Sequence, residues 1–308
     1  MKYSFVIPCY KSQASIEHVI SSITKLMDHK NLNYEIICIN DYPNEDAFNH
    51  MKQLTKSYPN LIIINLSKNF GQHSALMAGY NHITGDIIIS LDDDGQTDPN
   101  SIFKLIDKLN EGYDVVFAKY INKEHSTFRN LGSKINSYMA YKLINKPKKL
   151  FLSSYFITKR YIIDQIILYK HCYPYISGLL LRTTSYITNV EITHLKRTHG
   201  ESNYSISKLF KLWLNGFTSF SIIPLRLSMI IGALVALIGF MLTLYTLINY
   251  FINTNVPIGW SSTIAATSFI GGMILMVLGM IGEYIGRIFM VINNSPQYII
   301  KEIYNDKK

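Results

Sequence analysis

Ile87-Ile88-Ile89-Ser90-Leu91-Asp92-Asp93-Asp94-Gly95-Gln96-Thr97-Asp98 is the stretch from which the fold is read. A short apolar run bounded by turn residues reads as a fully buried strand, so Ile87–Leu91 is expected to be one. Three carboxylates directly after it put negative charge at the edge of a sheet, which is costly unless a cation compensates it. If strand geometry persists, Asp92 and Asp94 point the same way, because side chains alternate. With Gln96 two residues further on, they form a set of hard oxygen ligands suited to Mg²⁺ or Mn²⁺ that keeps positions open for substrate phosphates. The alternative is a solvated acidic turn, with Asp98-Pro99 starting the next helix.

The surroundings of this stretch favour the metal reading. Tyr3–Ile7 and Tyr34–Ile39 read as strands, and Ile16, Val19, Ile20, Ile23 and Leu26 recur between them at helical spacing. Leu61–Asn65 is a third strand and Gln72–Ile83 a helix. Ile102, Leu105, Ile106 and Leu109 mark a helix after Pro99, and Asp114–Ala118 is a further strand. Alternation of this kind builds a mostly parallel sheet with helices on both faces. Ligands of such sheets bind at the carboxyl ends of the strands, which gathers Pro8–Tyr10, Asp41 and Asp92–Gln96 at one edge. No glycine-rich phosphate loop is present, which disfavours P-loop and dinucleotide-binding folds.

The chain has 308 residues and a formal net charge of +9. That balance points to an anionic partner: a phosphorylated substrate, acidic lipid or nucleic acid. The three cysteines, Cys9, Cys38 and Cys172, form no CxxC pair and read as reduced thiols rather than a zinc framework. Residues 112–200 carry four acidic residues, Asp114, Glu124, Asp164 and Glu191, against fourteen Lys or Arg. This basic excess, between an acidic edge and an apolar segment, reads as a surface for anions.

From Leu227 to Gly282 there is no Asp, Glu, Lys or Arg. This length accommodates two membrane helices of about 20 residues each with a turn between them: Leu227–Ile252 and Thr263–Ile285, with Trp260 at an interface. Arg226 precedes the first and Arg287 follows the second, while the turn is uncharged. The positive-inside rule then puts both ends and the N-terminal domain in the cytoplasm. Glu283, near the end of the second, is expected to reach the interface or to pair with Arg287 one turn on. Residues 130–145 read as a helix on the membrane surface or against the sheet, and residues 206–223 as an interfacial amphipathic helix. Basic side chains beside such an anchor have anionic lipid as their simpler target, so nucleic acid is not expected as a partner.

Five segments in order resemble the membrane-anchored polyprenyl-phosphate glycosyltransferases of glycosyltransferase family 2. Val6-Ile7-Pro8-Cys9-Tyr10 is similar to their opening nucleotide-binding strand. Leu66-Ser67-Lys68-Asn69-Phe70-Gly71-Gln72-His73 is similar to a specific family segment, and Leu91–Gln96 to the DxDxQ metal motif, with Gly95 where leucine is usual. Arg197–Ser205 resembles a loop closing on the donor, and Pro224–Leu227 with Gly282–Ile288 the pieces flanking the membrane. Two departures stand out. Asn40-Asp41-Tyr42-Pro43 replaces two acidic residues and Gly-Ser after the second strand, and Lys11 replaces a common asparagine.

The resemblance implies an α/β GT-A (Rossmann-like) domain over residues 1–204, a juxtamembrane amphipathic helix over 205–226, a transmembrane hairpin over 227–288 and a cytoplasmic tail over 289–308. It implies metal-dependent, inverting transfer of a sugar from a nucleotide-sugar, UDP ahead of GDP, to a polyprenyl phosphate such as undecaprenyl phosphate. Asp92, Asp94 and Gln96 would hold Mg²⁺ or Mn²⁺. Arg197 would meet charge on the leaving diphosphate, and Arg129 and Lys119 the acceptor phosphate. Pro8, Tyr10, Asp41, Asn69, Gln72, Asp93, Ser202 and Tyr204 would contact the substrates. A phosphate acceptor is already ionised, so the acid-poor stretch after Asp114 suits it better than a sugar hydroxyl, which needs a base. Family relatives also imply a homo-oligomer. Two other readings stand beside this one. A processive polysaccharide synthase would carry Gln-x-x-Arg-Trp, whereas neither Trp213 nor Trp260 follows arginine. A noncatalytic membrane scaffold would retain the fold alone.

Overall fold

The computed structural model describes residues 1–98, 100–121, 146–193 and 259–305, with separate positions between 225 and 248. The chain forms two compact units, Met1–Gly216 with Ser295–Lys308, and Phe217–Asn294. The first unit alternates β1 (Lys2–Cys9), α1 (Ile16–His29), β2 (Asn33–Asn40), α2 (Glu45–Leu54), β3 (Leu61–Leu66), α3 (Gln72–Tyr80), β4 (Ile87–Ser90), α4 (Ser101–Asn110) and β5 (Val115–Ile121). It continues with β6 (Phe156–Lys159), α5 (Arg160–Ile166), α6 (Ile176–Thr183) and β7 (Ile187–Thr193), and ends with β8 (Ile300–Tyr304).

The periodicities account for these elements. α1 buries Ile16, Val19, Ile20, Ile23 and Met27, one face of a 3.6-residue repeat. α4 buries Ile102, Leu105, Ile106 and Leu109 in the same way. α2 starts at Asn44, whose side chain accepts a hydrogen bond from the Ala47 amide at 2.9 Å. β1, β2 and β4 are buried along nearly their whole length, as continuous apolar strands covered on both faces must be. Each fully buried isoleucine of this core contributes roughly 1.5–3 kcal/mol.

The described strands form one sheet in the order β7-β5-β6-β4-β1-β2-β3-β8. β1 runs parallel to β2 and β4, β2 to β3, and β5 to β7. The sheet is thus mostly parallel, as expected, but two strands oppose it. β6 is antiparallel to both β4 and β5, with Ser90 opposite Phe156. β8 is antiparallel to β3, with Ile63 opposite Tyr304. Ile300–Tyr304 falls within the segment expected as a tail. It is instead an edge strand, fixed where Lys52 pairs with Glu302 at 3.2 Å and lies 4.3 Å from the Tyr304 ring centre.

The edge of the sheet away from the acidic stretch is closed by a buried carboxylate. Glu35 accepts from Ser4 Oγ at 2.6 Å, Lys2 Nζ at 2.7 Å and Thr84 Oγ1 at 2.6 Å. Burial alone would raise its pKa, but the Lys2, Ser4 and Thr84 contacts outweigh that and hold it below the usual value.

In the second unit, α7 (Trp260–Ile292) is 33 residues long. Its segment Phe269–Ile292, of mean hydropathy 1.8, is the one helix among the described residues long and apolar enough to cross a membrane. Arg287 donates to Glu283 Oε1 at 2.6 Å, the expected pairing one turn apart. The described positions between Ser228 and Ile248, in the first expected span, are helical. The helical stretches expected at 130–145 and 206–223 lie outside the described residues.

Gly85 sits where β1 leaves no room. A Cβ there would lie 2.5 Å from Ser4 Oγ, 2.8 Å from the Lys2 carbonyl oxygen and 2.9 Å from the Ser4 nitrogen. Gly85→Ala must displace strand backbone beside Glu35, and a loss of about 1–3 kcal/mol is expected. A lowered midpoint of thermal unfolding in detergent checks it; an unchanged midpoint refutes the contact.

Candidate active site

The parallel strands deliver their carboxyl ends to a common edge, and antiparallel β6 brings its amino end there. The edge therefore collects the residues after Cys9, Asn40, Leu66 and Ser90 together with those before Phe156.

β4 stops at Ser90 and the chain turns through Asp92–Gly95, with Gly95 at φ 69°. Strand alternation thus does not carry through to Asp92 and Asp94, contrary to expectation, because the strand ends before them; the left-handed Gly95 redirects only the chain that follows. The turn orders the carboxylates in another way. The Asp94 side chain accepts from the Gln96 amide at 3.0 Å, closing a local Asx-type loop. Asp93 accepts from the Tyr10 amide at 3.1 Å and so braces the end of β1. Asp92 is held by both oxygens: Gln72 Nε2 donates to Oδ1 at 2.9 Å, and Ser154 Oγ donates to Oδ2. Burial pushes the Asp92 carboxyl up to about 6, helped by the Asp94 and Asp93 charges and opposed by Ser154 and Gln72.

Asp41 acts on the same site through the backbone. Its Oδ1 accepts from the Phe70 amide at 2.7 Å and its Oδ2 from the Gly71 amide at 2.8 Å. Gly71, at φ 88°, is the residue before α3, and Gln72 is the first of that helix. Asp41 therefore fixes the turn that aims Gln72 at Asp92. Burial raises its pKa to about 6 against the pull of the two amides. Beside it, the rings of Tyr10 and Tyr42 meet edge to face at 5.4 Å. Lys11, at φ 59°, lies 5.6 and 5.5 Å from their centres. His73 packs edge-on to Tyr175 at 5.4 Å, and burial lowers its pKa to about 4, so it is neutral at physiological pH.

A cation fits this edge. Burial and mutual repulsion raise Asp92, and a divalent ion would reverse both effects. The available donors are hard oxygens. Among the described residues, no three His, Cys, Asp or Glu side chains are grouped so as to hold a metal ion by themselves. An apolar cavity lined by Val19, Ile23, Ile102 and Asp92 lies beneath and measures about 50 Å³.

Comparison with known proteins identifies the frame. The glycosyl transferase family 2 model matches residues 4–167. The chain belongs to that family. It is a glycosyltransferase, as the resemblance read from its motifs implied. A second model, the GtrB C-terminal hairpin, matches residues 223–288. The chain is 30% identical to an uncharacterised glycosyltransferase of Bacillus subtilis, over 99% of this chain and 94% of that one. It is 30% identical to the undecaprenyl-phosphate 4-deoxy-4-formamido-L-arabinose transferase of Proteus mirabilis, over 100% of this chain and 95% of that one. Its fold resembles glucosyl-3-phosphoglycerate synthase of Mycobacterium tuberculosis bound to UDP. There the TM-score is 0.54 at 18% identity, covering 71% of this chain and 78% of that one.

Of the residues expected in this glycosyltransferase's site, Pro8, Tyr10, Asp41, Asn69, Gln72, Asp92, Asp93, Asp94 and Gln96 lie on β1, the loops of the acidic edge and the first turn of α3. Asp41, Asp93 and Gln72, expected to touch substrate, bond the Phe70–Gly71 turn, the Tyr10 amide and Asp92. Lys119, at the end of β5, is engaged by Glu191 at 2.7 Å in an exposed ion pair. Arg129, Arg197, Ser202 and Tyr204 lie outside the described residues. Sequence reasoning missed Ser154. The polar pair Ser153-Ser154 before an apolar strand was the available signal, but nothing local announces that the strand runs against its neighbours.

The raised Asp92 carboxyl sets a pH dependence. Its folded pKa, about 6, exceeds the unfolded value near 3.9. The folded chain keeps a proton that the unfolded chain releases, so this contribution to stability is present at low pH and lost as pH rises through about 6. From about pH 5 to about pH 7.5, the metal-free protein is expected to lose more thermal stability than Asp92→Asn. Parallel melting profiles for the two would refute the assignment.

Proposed function

We propose that this protein transfers a sugar from a nucleotide-sugar, a UDP-sugar in the first instance, to a polyprenyl phosphate at the cytoplasmic face of a membrane. The observation that carries this reading is one chain joining a buried acidic edge to a charge-free C-terminal segment. Similarity over the full chain to a transferase named for undecaprenyl phosphate supports the acceptor, and the fold shared with a UDP-bound synthase is compatible with the donor.

Asp92 and Asp94, with Gln96, would hold Mg²⁺ or Mn²⁺. Such an ion supplies neutralisation of the diphosphate as it departs. The solved relative in complex with Mn²⁺ and UDP-glucose, at TM-score 0.52, lends support for a divalent ion. Gln72 and Ser154 orient Asp92, and Asp41 fixes Gln72 through the Phe70–Gly71 turn. Tyr10 and Tyr42 offer an aromatic surface to the base. Arg197 is assigned to the charge growing on the leaving group, and Arg129 to the acceptor phosphate. Lys119 would have to leave Glu191 to join it. Ser202 and Tyr204 orient the donor, and Asn69 faces it from the loop before α3. The acceptor oxygen is already ionised, so attack at the anomeric carbon needs no general base, and a single displacement inverts the configuration. On this reading α7 is the second membrane helix and the first lies within Leu227–Ile252, which puts both termini on one side; Arg226 and Arg287 at the two ends make that side the cytoplasmic one.

Purified protein in detergent, given Mn²⁺, radiolabelled nucleotide-sugars and undecaprenyl phosphate, is expected to label the extracted lipid. EDTA or Asp94→Ala is expected to lower that label by at least about 100-fold. Failure of every donor to label the lipid, while UDP still binds, would overturn the acceptor assignment.

A further inference from the structure

We propose that Ser154 is a positioning residue that, together with Gln72, orients the Asp92 carboxylate and thereby sets how tightly the site holds its divalent cation. This rests on the metal reading given above.

Ser154 is supported as a fixed part, from several directions. Its segment precedes β6, and Asn189 on β7 clamps it as a strand would. The Phe151 amide donates to Asn189 Oδ1 at 2.8 Å, and Asn189 Nδ2 donates to the Phe151 carbonyl at 2.7 Å and to the Phe117 carbonyl at 3.3 Å. Lys146, only 4% exposed, donates its ammonium to the Leu150 carbonyl at 2.6 Å. The Tyr155 amide donates to Ser153 Oγ at 3.2 Å, and the Tyr155 ring is buried in the core. The hydroxyl of Ser154 is thus delivered to Asp92 Oδ2 by backbone anchored on both sides.

The consequence is chemical. A carboxylate oxygen has two lone-pair sites. Gln72 takes one on Oδ1 and Ser154 one on Oδ2. That leaves one lone-pair site on each oxygen for a cation, presented in the orientation the two donors hold. Partners that orient a ligand in this way typically change metal affinity by about 10–100-fold when removed.

The test is calorimetric titration of Mn²⁺ into the full-length protein in detergent saturated with UDP. Ser154→Ala is expected to weaken Mn²⁺ binding by about 10–100-fold. Ser154→Thr and Ser154→Val are matched in size and differ by the hydroxyl. Thr is expected to keep native Mn²⁺ affinity and Val to lose it, and the electron paramagnetic resonance spectrum of bound Mn²⁺ should change only with Val. Equal Mn²⁺ affinity in the Thr and Val variants would overturn the inference even if Ala fails to fold. Absence of Mn²⁺ binding by the native protein would instead overturn the metal reading beneath it.

Discussion

Three carboxylates at the carboxyl end of one buried strand are the constraint on which the rest of this edge depends. Asp92, Asp93 and Asp94 cannot all be neutralised by lysine or arginine without blocking the edge to an anionic substrate. The chain gives them separate tasks instead. Asp93 is taken up by the backbone of Tyr10, Asp94 closes its own turn onto Gln96, and Asp92 is held by neutral donors from α3 and the segment before β6. Neutral donors fix direction without cancelling charge, which leaves the edge attractive to a cation.

A comparison within the molecule shows what this arrangement costs. Glu35, at the far edge, is also buried, yet Lys2, Ser4 and Thr84 hold its pKa below the usual value. Asp92, with two neutral donors and two like charges nearby, is pushed the other way. The fold outweighs the burial of Glu35 and only partly offsets that of Asp92, a difference that marks Asp92 as a candidate functional group.

Strand direction does as much as residue identity. A parallel β6 would have carried Ser154 to the far edge, beside Glu35. Running against β4, it places the residues before Phe156 next to those after Ser90. β8 closes the other side by the same device, so the chain beyond α7 rejoins the sheet that bears the site.

Much of this was legible in the sequence. The apolar triplet before Asp92, the helical spacing of Ile16 to Leu26 and the charge-free run after Arg226 fixed strands, helices and a candidate membrane segment, because these depend on local periodicity. The motif segments marked the family. The partners of the acidic residues were not legible. That Asp41 holds the Phe70–Gly71 turn, that Gln72 reaches Asp92 and that Ser154 bonds Asp92 all follow from contacts between residues 20 to 62 positions apart. The sequence by itself determined which elements form and that charge collects after β4. Only the tertiary structure decided which side chains absorb that charge, because the antiparallel insertion of β6 is set by packing of the whole sheet rather than by any local pattern.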